Sequence, residues 1–145
     1  MHRILIIENN TTQICPWISF LKGFEHDYHI AMSNDEIEES LDTFAPTIIF
    51  IQTNSNDPQC LELISMLKSH KNAAPMVVFS KGKDVEFIVK TIKLGVLYYF
   101  ECPEKLEEFL TIFEKLDKKL ISVASKKLAQ PKKISKLPGV VGESD

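Results

Sequence analysis

The most informative part of the sequence is Pro46-Thr-Ile-Ile-Phe-Ile-Gln-Thr-Asn-Ser-Asn-Asp-Pro58. Its apolar centre, Ile48–Ile51, is short and unbroken, with a proline on one side and a polar cluster on the other. Such a run predicts a central strand that is buried on both faces of a parallel sheet. The strand ends at Gln52, and α/β proteins place ligands and reactive groups at the carboxyl ends of parallel strands. An amide, which is neither an acid nor a nucleophile, therefore stands where we expect function.

Four other apolar runs of this kind alternate with helical patterns along the chain. We expect strands at residues 3–8, 26–32, 48–52, 75–80 and 96–100, and helices at 12–22, 33–44, 58–70, 85–94 and 104–130. Strands that alternate with helices predict an α/β fold, a parallel sheet with helices on both faces. Right-handed crossovers then leave few topologies, the flavodoxin-like one among them.

Composition and charge exclude several classes of function. The 145 residues suit one globular domain with a tail, and the net charge of −3 gives no general attraction to nucleic acid or to an anionic membrane. No apolar stretch approaches the roughly 20 residues that span a bilayer, and the N-terminus lacks a signal-peptide layout. Three scattered cysteines without a CxxC pair fit free thiols in a reducing cytosol. We therefore expect a cytoplasmic protein.

The last third of the chain predicts one long helix and then a linker. Its apolar residues alternate spacings of three and four: Leu106, Phe109, Phe113, Leu116, Leu120 and Val123. This is an a/d seam, which favours helix pairing, although it could also be the amphipathic side of a helix that packs on the sheet. We expect the half from Leu106 to Phe113 to pack on the sheet and the half from Leu116 to extend beyond one small domain. A proline- and lysine-rich linker follows at 131–139.

The lysines between residues 118 and 136 form the basic concentration of the sequence. They could contact DNA phosphates. The chain has no recognition helix, zinc ligand set or interleaved aromatic residues that would support sequence readout. We therefore prefer a solvated helix face and linker, with no direct binding of DNA.

Four runs together resemble the receiver domain of two-component response regulators: Ile4-Leu-Ile-Ile-Glu-Asn, Pro46-Thr-Ile-Ile-Phe-Ile-Gln, Pro75-Met-Val-Val-Phe-Ser and Gly95-Val-Leu-Tyr-Tyr-Phe-Glu-Cys-Pro103. The resemblance implies a flavodoxin-like sheet of order 2-1-3-4-5 with an extended fifth helix. The terminal Leu137-Pro-Gly-Val-Val-Gly-Glu-Ser resembles the start of the AAA+ module of sigma-54-dependent transcriptional activators. We therefore expect a receiver-like domain at 1–117, a helical extension and linker at 118–138, and the start of a truncated AAA+ module at 139–145. Among such activators, the flagellar master regulators are known for degenerate receivers.

The resemblance also implies a phosphorylation pocket. Its positions fall on Glu8 and Asn9 for the acidic pair that holds Mg²⁺, Gln52 for the phosphoacceptor aspartate, Ser80 for the hydroxyl, Cys102 for the lysine, and Pro103 for the cis proline that follows it. The aromatic residue that family members reorient on activation falls on Tyr99.

This pocket keeps the family's frame and lacks its chemistry. Gln52 cannot form an acyl phosphate, which requires a carboxylate nucleophile. Glu8 alone leaves a formal charge of −1 where Mg²⁺ needs hard, usually anionic oxygens. Cys102 cannot supply the cationic contact of a lysine. We therefore expect a vestigial pocket with no catalytic residue, metal or cofactor, and we expect ATP and Mg²⁺ only in the AAA+ module outside this chain.

What the resemblance implies about function is regulatory and non-enzymatic. We expect a homodimer formed through the fourth helix, fifth strand and fifth helix, with Tyr99 near that face, which controls the AAA+ module of the parent chain by assembly or through a regulatory protein. The alternative is a small-ligand domain that senses a nucleotide or another anion in the vestigial pocket. Against it, the sequence has no glycine-rich phosphate loop. A conventional enzyme would need a nucleophile beside a base, and we find none.

Several single residues have two interpretations. Asp57 could replace the missing phosphoacceptor, but an aspartate before a proline more often caps a helix. Ser80 could bind an anion or satisfy local backbone groups. Cys102 could be a redox sensor, but its acidic neighbours favour an inert thiol. His26 and His29 are three apart on a strand and therefore face opposite sides, which argues against a shared metal.

Overall fold

A computed structural model of the chain describes residues 2–8, 16–21, 26–54, 57–71, 73–82 and 84–129, with the backbone alone at 17–18 and 121–129. Contacts divide the chain into two compact units, one that ends at Glu104 and one that begins at Lys105. Their helices and strands are β1 Arg3–Glu8, α1 Trp17–Leu21, β2 Asp27–Ala31, α2 Asn34–Thr43, β3 Ile48–Asn54, α3 Pro58–Ser69, β4 Met76–Lys81, α4 Val85–Lys93, β5 Tyr98–Glu101 and, in the second unit, α5 Leu106–Ala129.

The first unit is built on one five-stranded parallel sheet of order β2-β1-β3-β4-β5. The predicted α/β fold class and the flavodoxin-like strand order are confirmed. Strand β5 begins at Tyr98 rather than at the predicted Val96, because the amide of Val96 bonds to the carbonyl of Thr91 and so belongs to the end of α4. The predicted helix start at 12–15 lies outside the described residues.

Strand β3 occupies the centre of the sheet, as its apolar run predicts. It pairs with β1 on one side and β4 on the other, and its first six residues are buried. Burial of each isoleucine side chain removes apolar surface from water and contributes about 1.5–3 kcal/mol. The predicted end of this strand at Gln52 is wrong: β3 continues to Asn54, because Thr53 and Asn54 pair with Ser80 and Lys81 of β4. The central position of β3 places Gln52 near the carboxyl edge of the sheet.

Alternation along the strands divides the buried side chains between the two faces of the sheet. One face and the helices that pack on it form a cluster that includes Leu5, Ile7, Ile49, Ile51, Met76, Val78, Ile64, Leu67 and Phe87. The opposite face carries a row of aromatic rings, with Phe50 and Phe79 centred 5.0 Å apart and Phe79 and Phe100 5.8 Å apart. Residues at the carboxyl edge are divided in the same way, so that Glu8 and Gln52 point to one face of the sheet and Ser80 to the other.

Side-chain caps begin three of the helices. Ser33 accepts a hydrogen bond from the amide of Glu36, and Asp84 accepts one from the amide of Phe87. Asp57 accepts a bond of 3.0 Å from the amide of Gln59, with Pro58 as the first helical residue of α3. These bonds satisfy amides that have no partner within their own helix. The interpretation of Asp57 as a helix cap is thereby confirmed.

Helix α5 runs for 24 residues and buries Phe109, Phe113 and Leu116. Two expectations about its apolar seam are wrong. Leu106, the first residue of the helix, is 47% exposed, and Leu116 is fully buried within the single chain. With a rise of about 1.5 Å per residue, Leu116 lies only about 15 Å from the start of the helix. Leu120 is half-buried, and the side chain of Val123 lies outside the described residues.

Candidate functional site

The strand register brings the predicted pocket positions to one edge of the sheet. Glu8 pairs with Gln52 across β1 and β3, and Ser80 pairs with Glu101 across β4 and β5. Cys102 follows directly, and its amide donates a bond of 2.9 Å to the carbonyl of Ser80. The structure therefore places four of the six predicted positions along the ends of neighbouring strands, with Pro103 next in the chain. Asn9 lies outside the described residues.

Glu8 and Gln52 stand side by side and deeply buried. Their side chains are 8% and 2% exposed, and Gln52 pairs on its other side with Phe79. Paired residues on parallel strands point to the same face, so an acid, an amide and an aromatic ring form one row. Of these three side chains, only that of Glu8 is ionisable.

Burial raises the pKa of the Glu8 carboxyl above its ordinary value. Its carboxylate makes no hydrogen bond or ion pair with any residue that the structure describes. Desolvation of this kind favours the neutral acid, and a cation beside it would be needed to favour the charged form. Within the described ranges no three histidine, cysteine, aspartate or glutamate side chains gather closely enough to hold a metal ion. Burial of Glu8 therefore works against the charged form that a divalent cation would need.

Ser80 lies at the other half of the edge, where its hydroxyl is fully buried and bonded on both sides. It donates to the carbonyl of Gly82 at 3.2 Å and contacts the hydroxyl of Tyr99. A serine hydroxyl has one proton. When that proton goes to Gly82, Tyr99 is the donor to the Ser80 oxygen. The interpretation that Ser80 satisfies local backbone is confirmed.

Tyr99 faces into the fold and connects three elements. It pairs with Val78 of β4, packs against the core cluster, and meets the ring of Phe87 of α4 edge-on at 6.2 Å. Tyr98 faces the other side of the sheet, where its ring lies 5.4 Å from that of Phe100. Tyr99 is therefore an aromatic residue at the edge of the core, and its hydroxyl is engaged inward with Ser80.

Cys102 and Cys60 present two different thiols near this edge. Cys102 is half-buried, at the position where the resemblance implies a lysine. Cys60 is buried beneath the end of β3, and burial raises the pKa of its thiol to about 11, with a smaller rise from the Asp57 charge and an opposing hydrogen bond from Thr53. The peptide bond before Pro103 is trans, whereas the resemblance implies cis.

Sequence reasoning missed two features of this region. The first is the bond between Ser80 and Tyr99, for which the spacing of the two strands in the sequence gave no signal because it depends on their register. The second is an open groove of about 360 Å³ lined by Asn34, Gln59, Glu62, Leu63 and Met66. Its lining comes from α2 and α3, which the sequence places far apart.

Comparison with known proteins finds similar folds among solved structures. No family model matches the chain, and no curated protein matches its sequence. NtrX from Brucella abortus in complex with ADP superposes with a TM-score of 0.72 at 19% identity, over 94% of this chain and 31% of that one. The receiver domain of NtrC4 from Aquifex aeolicus gives 0.62 at 20% identity, over 79% and 95%. The signal receiver domain of a DNA binding response regulator (merR) from Colwellia psychrerythraea 34H gives 0.64 at 19% identity, over 83% and 98%.

The chain thus has the fold of response-regulator receiver domains, and it resembles receivers found in NtrX and NtrC4. It spans about a third of the NtrX chain that it matches. Among the described helices, none has both the length and the apolar character required to cross a membrane.

Proposed function

We propose that this chain is an N-terminal regulatory receiver that works without aspartyl phosphorylation and catalyses no reaction by itself. One observation carries the proposal: two residues before the end of the central strand, at the position where receivers phosphorylate an aspartate, the side chain is the buried amide of Gln52. An amide cannot attack a phosphoryl donor to give an acyl phosphate. The buried neighbour Glu8 is a single carboxyl whose raised pKa disfavours the charge that Mg²⁺ requires.

The contact between the Ser80 and Tyr99 hydroxyls supports regulation of the domain without phosphorylation. In the receiver family, the aromatic residue at the Tyr99 position reorients on activation. Here the Ser80 hydroxyl and the ring of Phe87 hold Tyr99 inward. An equilibrium that one ligand used to shift can be fixed by sequence or transferred to another partner. Assembly and partner binding then set the state of the domain.

The context that we propose is a sigma-54-dependent transcriptional regulator in the bacterial cytoplasm, of the class to which flagellar master regulators belong. The receivers of NtrX and NtrC4 share the fold, and the terminal segment at 139–145 resembles the opening of an AAA+ module. A homodimer of this chain would pass its arrangement through α5 to that module, with a regulatory protein as the further partner. This chain would itself contact neither DNA nor membrane.

Intact-mass spectrometry after incubation with acetyl phosphate and Mg²⁺ tests the proposal. The unmodified chain should gain no phosphoryl adduct. A matched variant that restores the family's charges, Asn9→Asp with Gln52→Asp and Cys102→Lys, should gain one, because it regains the nucleophile, the second metal ligand and the cation. An adduct on the unmodified chain that maps to this edge would overturn the proposal.

A nucleotide-sensing domain is the second candidate. The observation that favours it is that NtrX from Brucella abortus, of which the match covers 31%, was solved with ADP and with ATP. A thermal-shift titration with ADP and ATP discriminates, since a ligand at 100 times its dissociation constant stabilises by about 2.7 kcal/mol. The regulatory proposal expects no shift with either nucleotide.

A further inference from the structure

The groove between α2 and α3 continues inward toward the end of β3. Its outer part has a volume of about 360 Å³ and is lined by Asn34, Gln59, Glu62, Leu63 and Met66. A smaller chamber of about 30 Å³ adjoins it, because Gln59 and Leu63 line both. Sites for small ligands usually have volumes of about 300–1,000 Å³, so the groove suits a small molecule. The chamber suits a single group the size of a water molecule.

The polar wall of the chamber contains two oxygen atoms that lack a shared donor. It is formed by Thr53, which is 2% exposed, and by the half-buried Asp57. The Thr53 hydroxyl has one proton, and it donates to the carbonyl of Asn54 at 3.0 Å. The Thr53 oxygen then lies 3.5 Å from Oδ2 of Asp57, and among the described residues this carboxylate oxygen has no closer donor. A donor group in the chamber would therefore serve both oxygens.

The charges around the groove favour a cation. Of the described residues that line the groove and the chamber, Asp57 and Glu62 are acidic and none is a lysine, arginine or histidine. Helix α2, which forms the other wall, carries acidic side chains and no basic one: Asp35, Glu36, Glu38, Glu39 and Asp42. Such a surface attracts cations and repels anions. The absence of a three-residue ligand set in the described part of the chain argues against a metal ion.

We infer that this groove binds a short organic diamine. One ammonium group occupies the chamber, where it donates to Oδ2 of Asp57 and to the Thr53 hydroxyl. The second meets the exposed carboxylate of Glu62. At about 1.5 Å per residue, Glu62 lies about 7.5 Å further along α3 than Asp57, a separation that a chain of about four or five carbons spans. The methylene groups lie on Leu63 and Met66, which supply the apolar surface of the groove.

The position of the site in the fold gives it a possible effect on the domain. The first turn of α3 carries partial positive charge that opposes a nearby ammonium group, and the Asp57 carboxylate at its cap offsets this. Thr53 and Gln52 are consecutive on β3, so the ligand lies on the opposite face of the sheet from the Gln52 amide. The inference therefore goes beyond the proposed function and does not depend on it. An occupied site connects the end of β3 to the start of α3.

An NMR titration of the full chain with putrescine, a four-carbon diamine, tests the site. Low salt is used because ions screen the attraction between exposed charges. Amide resonances of Thr53, Gln59 and Leu63 should shift and saturate together. The four-carbon diol, which has the same length and no charge, should shift none of them. Shifts that fail to saturate, or that spread evenly over the acidic residues of α2 and α5, would overturn the inference.

Charge-removing variants locate the two ammonium groups. Asp57→Asn retains a helix-capping side chain, and it and Glu62→Gln should each raise the dissociation constant for putrescine by about threefold to tenfold. Butylamine has one ammonium group, so Asp57→Asn should weaken its binding, while Glu62→Gln should change it by less than about twofold. Glu86→Gln, which alters an exposed acid of α4 outside the groove, is the matched control and should change neither constant.

Circular dichroism should give the same fold for all three variants. Unchanged binding of putrescine by Asp57→Asn would overturn the inference, as would an equal loss in the Glu86→Gln control. The intact-mass experiment would still decide the proposed function, because it reports on phosphorylation and not on the groove.

Discussion

The carboxyl edge of the sheet has two halves that differ in what they retain. At the β1–β3 half, Glu8 and Gln52 are buried side by side, and Glu8 is the ionisable member of this pair. At the β4–β5 half, the hydroxyls of Ser80 and Tyr99 are bonded to each other and coupled to α4 through Phe87. The half that would perform phosphoryl chemistry lacks its charges, and the half that couples strands to a helix is complete. This difference is the basis of our proposal that the domain acts through its conformation and not through a reaction in the pocket.

The two thiols near this edge provide the largest contrast. With the pKa of Cys60 raised to about 11 by burial, only about one molecule in a thousand carries its thiolate at pH 8. A disulfide reagent at pH 8 should therefore modify Cys102 and leave Cys60 unmodified until the protein unfolds. A Cys15→Ser background removes the third thiol, and guanidinium gives the total count. Rapid modification of two thiols in the folded protein would contradict the burial of Cys60.

Removal of the Tyr99 side chain should remove its contacts with Ser80 and Phe87 at the β4–β5 half of the edge. Tyr99→Ala leaves a cavity beside Phe87 and should lower the free energy of unfolding by about 2–4 kcal/mol. Tyr98→Ala is the matched control on the opposite face, and it should cost about half as much because Tyr98 lies outside the core cluster. Urea denaturation measures both. Equal costs would mean that Tyr99 is not the connection between β5 and α4.

A double-mutant cycle isolates the hydroxyl contact itself. Tyr99→Phe leaves the buried Ser80 oxygen without its donor and should cost about 1 kcal/mol, as should Ser80→Ala. The two together should cost clearly less than the sum, with a coupling of about 0.5–1 kcal/mol. Additive costs would show that the two hydroxyls do not interact in solution.

The smallest effect is expected at Glu8. Because burial raises the pKa of this carboxyl above its ordinary value of 4.5, the folded protein keeps a proton that the unfolded chain releases. The stability of the protein therefore falls as pH rises from 4.5 through the folded pKa, and above that pKa the cost is constant. Glu8→Gln removes this cost, so it should raise the melting temperature slightly at pH 7 and leave it unchanged at pH 4. A loss of stability at pH 7 would mean that the carboxylate has a favourable partner.

Sequence patterns predicted the order of strands and helices because their signals are local. The run Ile48–Ile51 is too short and too apolar to be anything but a buried strand, and Asp57 before Pro58 has the chemistry of a helix start. The predicted pocket positions Glu8, Gln52 and Ser80 reached the same edge, because parallel strands end together.

What failed depends on distances that a pattern does not contain. The a/d seam of α5 assigned Leu106 to the inside and Leu116 to a partner, and burial reversed both. Periodicity predicts which face of a helix is apolar, but it does not predict which residues along that face are buried. The exposure of Val89 and Ile92 on α4, 43% and 47%, has no signal in the sequence either, because only the structure shows that Phe87 and Thr91 occupy the inner side of the helix.

Titration with Mg²⁺ and beryllofluoride, a mimic of the phosphoryl group, shows whether the pocket around Gln52 binds a phosphoryl ligand. Amide resonances of Glu8, Gln52 and Ser80 are followed by NMR in the unmodified chain and in the Asn9→Asp, Gln52→Asp, Cys102→Lys variant. We predict no saturable shift at these positions in the unmodified chain and a saturable shift in the variant. A saturable, magnesium-dependent shift centred on Gln52 in the unmodified chain would contradict the account.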